Sequence, residues 1–344
     1  MSMKRLILMV LVILAGTVWS ENAQAQILGD SLVQAVAYWQ KDYVFHYHVI
    51  ESKLKIENSD STVVDRNEKL MTVTVVDADE TSYTLKVETD ILAISDPEKL
   101  ELTKAIAKKF GKKAFVTTIK TDELGSFTGV AASPKEQILY NEVVAYTADQ
   151  VWERLIAKDP EFAGTIDENS FKTMVIQSSG TLEQAVYKED ILKLLGFFGS
   201  QYSLKEPLVF DHQTPSLINP QTLMPAVAKI EAEIFDAEEH IFIIQQTTEV
   251  DPQVALKEST AMLATMTKDS QMAGKIAQLP QEIEKKNLVV EDWHLVSIQA
   301  DLGVPFVYLG QRRCSANGYG IQHNMSIGIT SEDEANKLRK QALF

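Results

Sequence analysis

Apolar and polar residues alternate along much of the N-terminal part of the chain. From Tyr43 to Ile56, Phe45, Tyr47 and Val49 fall on one face, and Val44, His46 and His48 on the other. A period of two marks a half-buried strand, because successive side chains point to opposite faces. Met71, Val73 and Val75 repeat the pattern against Thr72 and Thr74, and Tyr83, Leu85, Val87, Thr89 and Ile91 repeat it against Thr84, Lys86, Glu88 and Asp90. Polar clusters at Asn58–Ser61 and Asp77–Glu80 separate the three runs, so they read as an antiparallel meander.

The period then changes. Asp96-Pro97 opens a helix with Leu102, Ala105, Ile106 and Phe110 on its apolar stripe and Gly111 at its end. Strands follow at 114–120 and 127–130. Ser133-Pro134-Lys135-Glu136 is a capping box, and helical spacing continues to Asp159-Pro160 as one or two helices. Thr181-Leu182-Glu183-Gln184 is a second box, followed by Ile191, Leu192, Leu195 and Phe198 at helical spacing. Residues 203–225 hold four prolines and little periodicity, which reads as a linker or edge segment. Strands resume at 226–235 and 240–248. Asp251-Pro252 opens a helix bearing Met262 and Met266, with Met272 further on. Three strands at 288–299, 304–311 and 319–329 come next, and Ser331 caps a helix reaching Leu343.

About ten strands with local turns predict an α+β fold: a large curved antiparallel sheet, half-barrel-like, covered by amphipathic helices. Residues 1–25 read as a signal peptide. Lys4 and Arg5 precede the apolar run Leu6–Ala15, and Ala23-Gln24-Ala25 places cleavage before Gln26. No Cys follows the apolar run, so no lipobox is present, and no later stretch is long and apolar enough to span a membrane. A periplasmic or secreted protein is therefore expected, with residues 26–344 as the exported domain and 26–200 and 201–344 as its two halves.

The sequence has 344 residues, with Lys+Arg 33 and Asp+Glu 48, for a formal charge of −15. That balance disfavours nucleic acid, whose binding needs a cationic surface. Cys314 is the only cysteine, so no internal disulfide forms, and a buried, inert thiol is the simplest reading. Lys99, Lys104, Lys108, Lys109, Lys112 and Lys113 run against the acidic background, either as a solvated helix face or as a contact for an anionic headgroup.

The last strand carries the best binding signal. Tyr319, Ile321, His323, Met325, Ile327 and Ile329 share one face, which a concave sheet must cover with helices or a ligand. The signal peptide, the strands and the interposed helices together resemble the bacterial lipoprotein-carrier half-barrels of the LolA/LppX-like group. That resemblance implies a curved sheet and helical lid enclosing acyl chains. Lys120–Phe127 is also similar to a strand-turn-strand of exported bacterial β-rich proteins, which implies no activity.

Catalytic patterns are missing. There is no His-Glu-x-x-His helix, no phosphate loop, and Gly125-Ser126-Phe127-Thr128-Gly129 has Phe at the nucleophile position. Ser52-Lys53-Leu54-Lys55 matches Ser-x-x-Lys, but in a strand, without the partner motifs. The expectation is a non-enzymatic protein, without a cofactor, that binds a lipid or other apolar ligand beneath helices at 135–199 and 252–275. Phe45, Tyr47, Tyr319, Ile321, Met325 and Ile327 are its candidate lining residues. One alternative is an envelope scaffold that binds a protein partner through its sheet edge. A second is a metal-dependent hydrolase using His46 and His48, which two-residue spacing puts on one strand face.

Overall fold

The computed structural model describes residues 27–28, 31–58, 60–160, 167–186, 190–215, 223–251 and 289–344. The signal segment and the helix expected after Asp251 lie outside the described residues. The fold is α+β, as the alternation predicts. Two short strands, β1 (Ile27–Leu28) and β2 (Leu32–Gln34), come first. The meander follows as β3 (Val44–Glu57), β4 (Asp60–Ala78) and β5 (Ser82–Ile94). Helix α1 (Pro97–Phe110) leads to β6 (Val116–Asp122) and β7 (Phe127–Val130). Helices α2 (Pro134–Lys158), α3 (Glu168–Ser179), α4 (Leu182–Val186) and α5 (Asp190–Leu195) form the middle. Strands β8 (Gln201–Ser203), β9 (Leu208–Pro215), β10 (Leu223–Asp236), β11 (Ile241–Val250), β12 (Val289–Gln299), β13 (Val304–Ala316) and β14 (Tyr319–Thr330) precede a C-terminal helix, α6 (Glu332–Arg339).

The caps read from the sequence explain the helix starts. Asp96 accepts hydrogen bonds from the Glu98 and Lys99 amides, with Pro97 at the first helical position. Ser133 and Glu136 close the capping box of α2, which is one helix rather than two. Thr181 and Gln184 bond reciprocally at 2.9 and 3.2 Å. Helix α6 stops at Arg339, short of the expected Leu343.

Eleven strands form one antiparallel sheet in the order β7-β6-β5-β4-β3-β14-β13-β12-β11-β10-β9. Both sequence halves enter it, and β14 joins them by pairing with β3 along Tyr319↔Glu57 to Thr330↔His46. The supposed linker at 203–225 contains β9 and the start of β10. Pro215 sits at the end of edge strand β9; Pro225 lies within the β9–β10 ladder opposite Gln213 but precedes the first β10–β11 pair, Ala226↔Val250.

The sheet is open and tightly curled. Thr214 of β9 bonds to Asp292 of β12 at 3.3 Å, although those strands are three steps apart in the sheet. On a flat sheet the separation would be about 14 Å. One half of the concave face is core: Tyr47, Val49, Val73, Phe242, Val296 and Ile327 are buried there. Ile191, Leu194 and Leu195 of α5 cover them, with Trp39, Phe197 and Phe198. Trp39 is fixed by donating to the Gly303 carbonyl at 2.9 Å. Gly303 has φ +61°, and a Cβ there would meet the Val36 carbonyl oxygen, so the approach needs glycine. On the convex face, Ala335 of α6 packs on Leu70 and Leu92.

Candidate functional site: a polar cavity on the concave face

Beyond the core, the concave-facing positions become polar while the alternation continues. In β3, Tyr47 and Val49 give way to Glu51 and Lys53. In β14, Ile329 and Ile327 give way to Met325 and His323. Antiparallel partners lie side by side on the same face, so register turns these positions into rows. One row reads Asn67, Glu51, Met325, Gly310, His294 across β4, β3, β14, β13 and β12. The next reads Asp65, Lys53, His323, Arg312, Asp292. Curling of the sheet adds His212 and Thr214 from β9. Lys193 of α5 and Lys99 of α1 complete the wall of a cavity of about 740 Å³. That volume is within the range of small-molecule sites, roughly 300–1,000 Å³.

The charges are arranged unevenly. Asp292 faces Arg312 at 3.3 Å and accepts from Thr214. Burial still pushes its carboxyl above the usual range, against the pull of Arg312. Nδ1 of His294 lies 2.7 Å from the Tyr308 hydroxyl. Burial, reinforced by Lys193, Arg312 and His212, holds His294 down at about 4, so its ring is neutral at pH 7. Burial raises the Tyr308 hydroxyl, which stays protonated. His323 is also lowered, by burial and then by Lys53 and Arg312. Asn67 is only 5% exposed, and its Oδ1 has no hydrogen-bond partner among the described residues.

Between cavity and core lies a charged layer. Lys69 bonds Glu51 at 2.8 Å and Asp190 at 3.0 Å, and Lys193 bonds the other Asp190 oxygen at 3.0 Å. Burial would raise the Asp190 carboxyl, but Lys69 and Lys193 outweigh it and hold it low. The same network fixes the start of α5 over the sheet. Lys193 also reaches the Met325 sulfur at 3.1 Å.

Of the six candidate lining residues, Met325 alone reaches this cavity. Tyr47 and Ile327 are core residues, 2% and 0% exposed. Phe45 packs on Trp39 and Tyr43 with ring centroids 6.3 Å away in each pair. The void beside Phe45 and Tyr47 is about 10 Å³, too small for an acyl chain. Tyr319 and Ile321 lie past the polar rows and are 56% and 42% exposed. The apolar stripe of β14 is therefore interrupted at His323 instead of running as one wall.

His46 and His48 do share a face, but it is the convex one. His46 meets Thr72 at 3.1 Å, Glu332 at 2.5 Å and Arg339 at 3.1 Å. His48 faces Glu68 at 3.3 Å. Among the described residues no group of three His, Cys, Asp or Glu side chains is disposed to hold a metal. Cys314 is half-buried, and burial raises its thiol, so it is poorly nucleophilic. The lysine cluster disperses: Lys104 pairs with Glu101, Lys112 with Asp90, and Lys109 sits 3.9 Å from the Tyr146 ring centre.

The sequence reading missed His212, His294, Asp292, Tyr308 and Arg312. The signal was present, since Asp292 and His294 continue the alternation of Val296 and Ile298. What the sequence lacked was the pairing that sets these strands side by side. Comparison with known proteins finds no family model that matches the chain and no curated protein similar to it.

Proposed function

We propose that this is a non-enzymatic exported protein that holds a polar small molecule in the concave cavity. The carrying observation is the cavity itself: about 740 Å³, walled by polar side chains from β3, β4, β9, β12, β13 and β14. Convergence of so many strands on one half-open polar space partly desolvates their side chains, a cost that a ligand offsets by pairing with the groups it meets. The signal-peptide pattern at residues 1–25 supports export. The missing catalytic patterns favour binding over turnover. A lipid or other apolar ligand fits less well, because the apolar half of the concave face is filled by α5 and the aromatic cluster.

Native mass spectrometry of the exported protein, followed by aqueous and organic extraction, tests the reading. A bound, water-soluble compound of a few hundred daltons supports it. A long-chain lipid in the organic phase would restore the acyl-carrier reading. A scaffold role has one observation in its favour: among the described residues β9 is an open edge with Leu208 and Val209 exposed, a template for strand addition.

A further inference from the structure

The three carboxylates that line the cavity each have an ion-pair or hydrogen-bond partner within the protein. Glu51 has Lys69 at 2.8 Å, and Asp292 has Arg312 at 3.3 Å. Asp65 accepts from Ser95 Oγ at 2.6 Å and from Asn67 at 3.4 Å. On the cationic side, Lys193 is matched by Asp190. Lys53 and Lys99 make no ion pair among the described residues, although both line the cavity. Lys53 shares the outer polar row with Asp65, His323 and Arg312 and is half-buried, whereas Lys99 is exposed.

Asp65 lies beside Lys53 and is held low in part by Lys99, yet the lining carries four cationic side chains, Lys53, Lys99, Lys193 and Arg312, against three carboxylates, in a chain of formal charge −15. Surface acids repel a diffusing anion, so such a site admits one only where the local field is reversed. Low-dielectric walls concentrate that field. His323 responds to the same field: Lys53 and Arg312 add to burial in lowering it, against the opposing pull of Asp65 and Glu51. The volume exceeds what an inorganic anion fills. Tyr308 and Met325 add a ring and a thioether, and the Asn67 amide and Glu51 offer acceptors for hydroxyl or amino groups.

We infer that the ligand is a hydroxylated or amino-bearing organic oxyanion, such as a phosphate ester or carboxylate, whose anionic group is held by Lys53 and Lys99 beside Arg312. This rests on the cavity reading above and narrows it to a chemical class. A free metabolite and an amphiphile headgroup share that chemistry, and the probes below separate the two sources.

Isothermal titration of the exported chain with a hexose monophosphate, the parent hexose, an aliphatic dicarboxylate, inorganic phosphate and dodecyl phosphate provides the test. The expected result is that an organic anion binds at least tenfold more tightly than the hexose. That affinity should fall as salt rises, through screening of the charge. A Lys53→Gln/Lys99→Gln variant should lose at least tenfold while its urea midpoint stays within error of the parent. Binding by the hexose phosphate or dicarboxylate places the source among free metabolites. Binding confined to dodecyl phosphate places it among amphiphile headgroups and equally supports the oxyanion class. Equal binding of hexose and hexose phosphate, unchanged in the double variant, overturns the oxyanion inference and leaves the cavity reading standing. Absence of binding by every probe overturns both.

Discussion

The Tyr308 hydroxyl lies 2.7 Å from Nδ1 of His294, and their rings stack with centroids 5.9 Å apart. Gly310 makes this contact geometrically available. It is the register partner of His294, and a Cβ on it would come within 2.8 Å of the Tyr308 hydroxyl. The Tyr308 side chain thus lies along its own strand, over a glycine, to reach the next strand.

Gly310→Ala should therefore push Tyr308 off His294 and cost about 1–3 kcal/mol, the range for overpacking. Tyr308→Phe should cost about 1–3 kcal/mol by leaving His294 Nδ1 buried without its partner. The double variant should cost less than the sum of the two, because both remove the same contact. Urea denaturation of the four proteins measures this. Strict additivity would show that the glycine and the hydroxyl act separately.

Protonation of His294 sets an acid limit on stability. Its native value is about 4, against about 6.5 for an unperturbed histidine. Between those values the unfolded chain binds a proton that the native protein refuses. The contribution is fully present above pH ~6.5 and is lost as pH falls towards ~4, on the order of 3 kcal/mol in all. His294→Gln should flatten the pH dependence of the urea midpoint across that window. Parallel curves for the two proteins would contradict the burial of a neutral ring.

Asp190 ties α5 to the sheet through Lys69, and its native carboxyl is held low. Its stabilising effect is present above pH ~4 and is lost as pH falls below that value. Asp190→Asn should cost about 2 kcal/mol at pH 7, because two half-buried ammonium groups lose a charged acceptor. The difference from the parent should shrink at pH 3, where the unfolded chain takes up a proton that the native carboxylate resists. Urea midpoints at the two pH values check this, and an equal cost at both would assign the effect to packing.

The C-terminal helix is a separable cover on the convex face. Ala335 is fully buried against Leu70 and Leu92, while Lys337 and Arg339 follow on the same helix. Ala335→Glu puts a charge into that contact and should lift α6, uncovering His46 as well. Limited trypsin digestion should then cleave after Lys337 or Arg339 several-fold faster than in the parent. Unchanged digestion would show that α6 is held by its polar contacts alone.

Local features were legible in the sequence and long-range ones were not. The capping residues Asp96, Ser133, Thr181 and Ser331 each start a helix where their side chains suggest. The apolar alternation of β5 and the first half of β3 marks true strands. The first half of β4, from Asp60 to Lys69, shows no such pattern, because Asp60–Val64 are exposed and Asp65 and Asn67 face the polar cavity. A strand polar on both faces looks like a loop in sequence. The β14–β3 pairing joins residues more than 260 positions apart, and nothing local in either strand specifies it. The cavity was hidden for that reason, since His212, His294 and His323 meet only after six strands are aligned and curled.

The six histidines divide evenly, which permits one direct measurement. His212, His294 and His323 line the cavity; His46 and His48 lie on the convex face, and His240 pairs with Asp301 at a turn. Long-range proton–nitrogen NMR of the imidazole rings can be recorded as the low-molecular-mass aqueous extract of the exported fraction is added. The His212, His294 and His323 signals should move together and the other three should stay in place. Movement confined to His46 and His48, or no movement at all, would contradict the cavity reading.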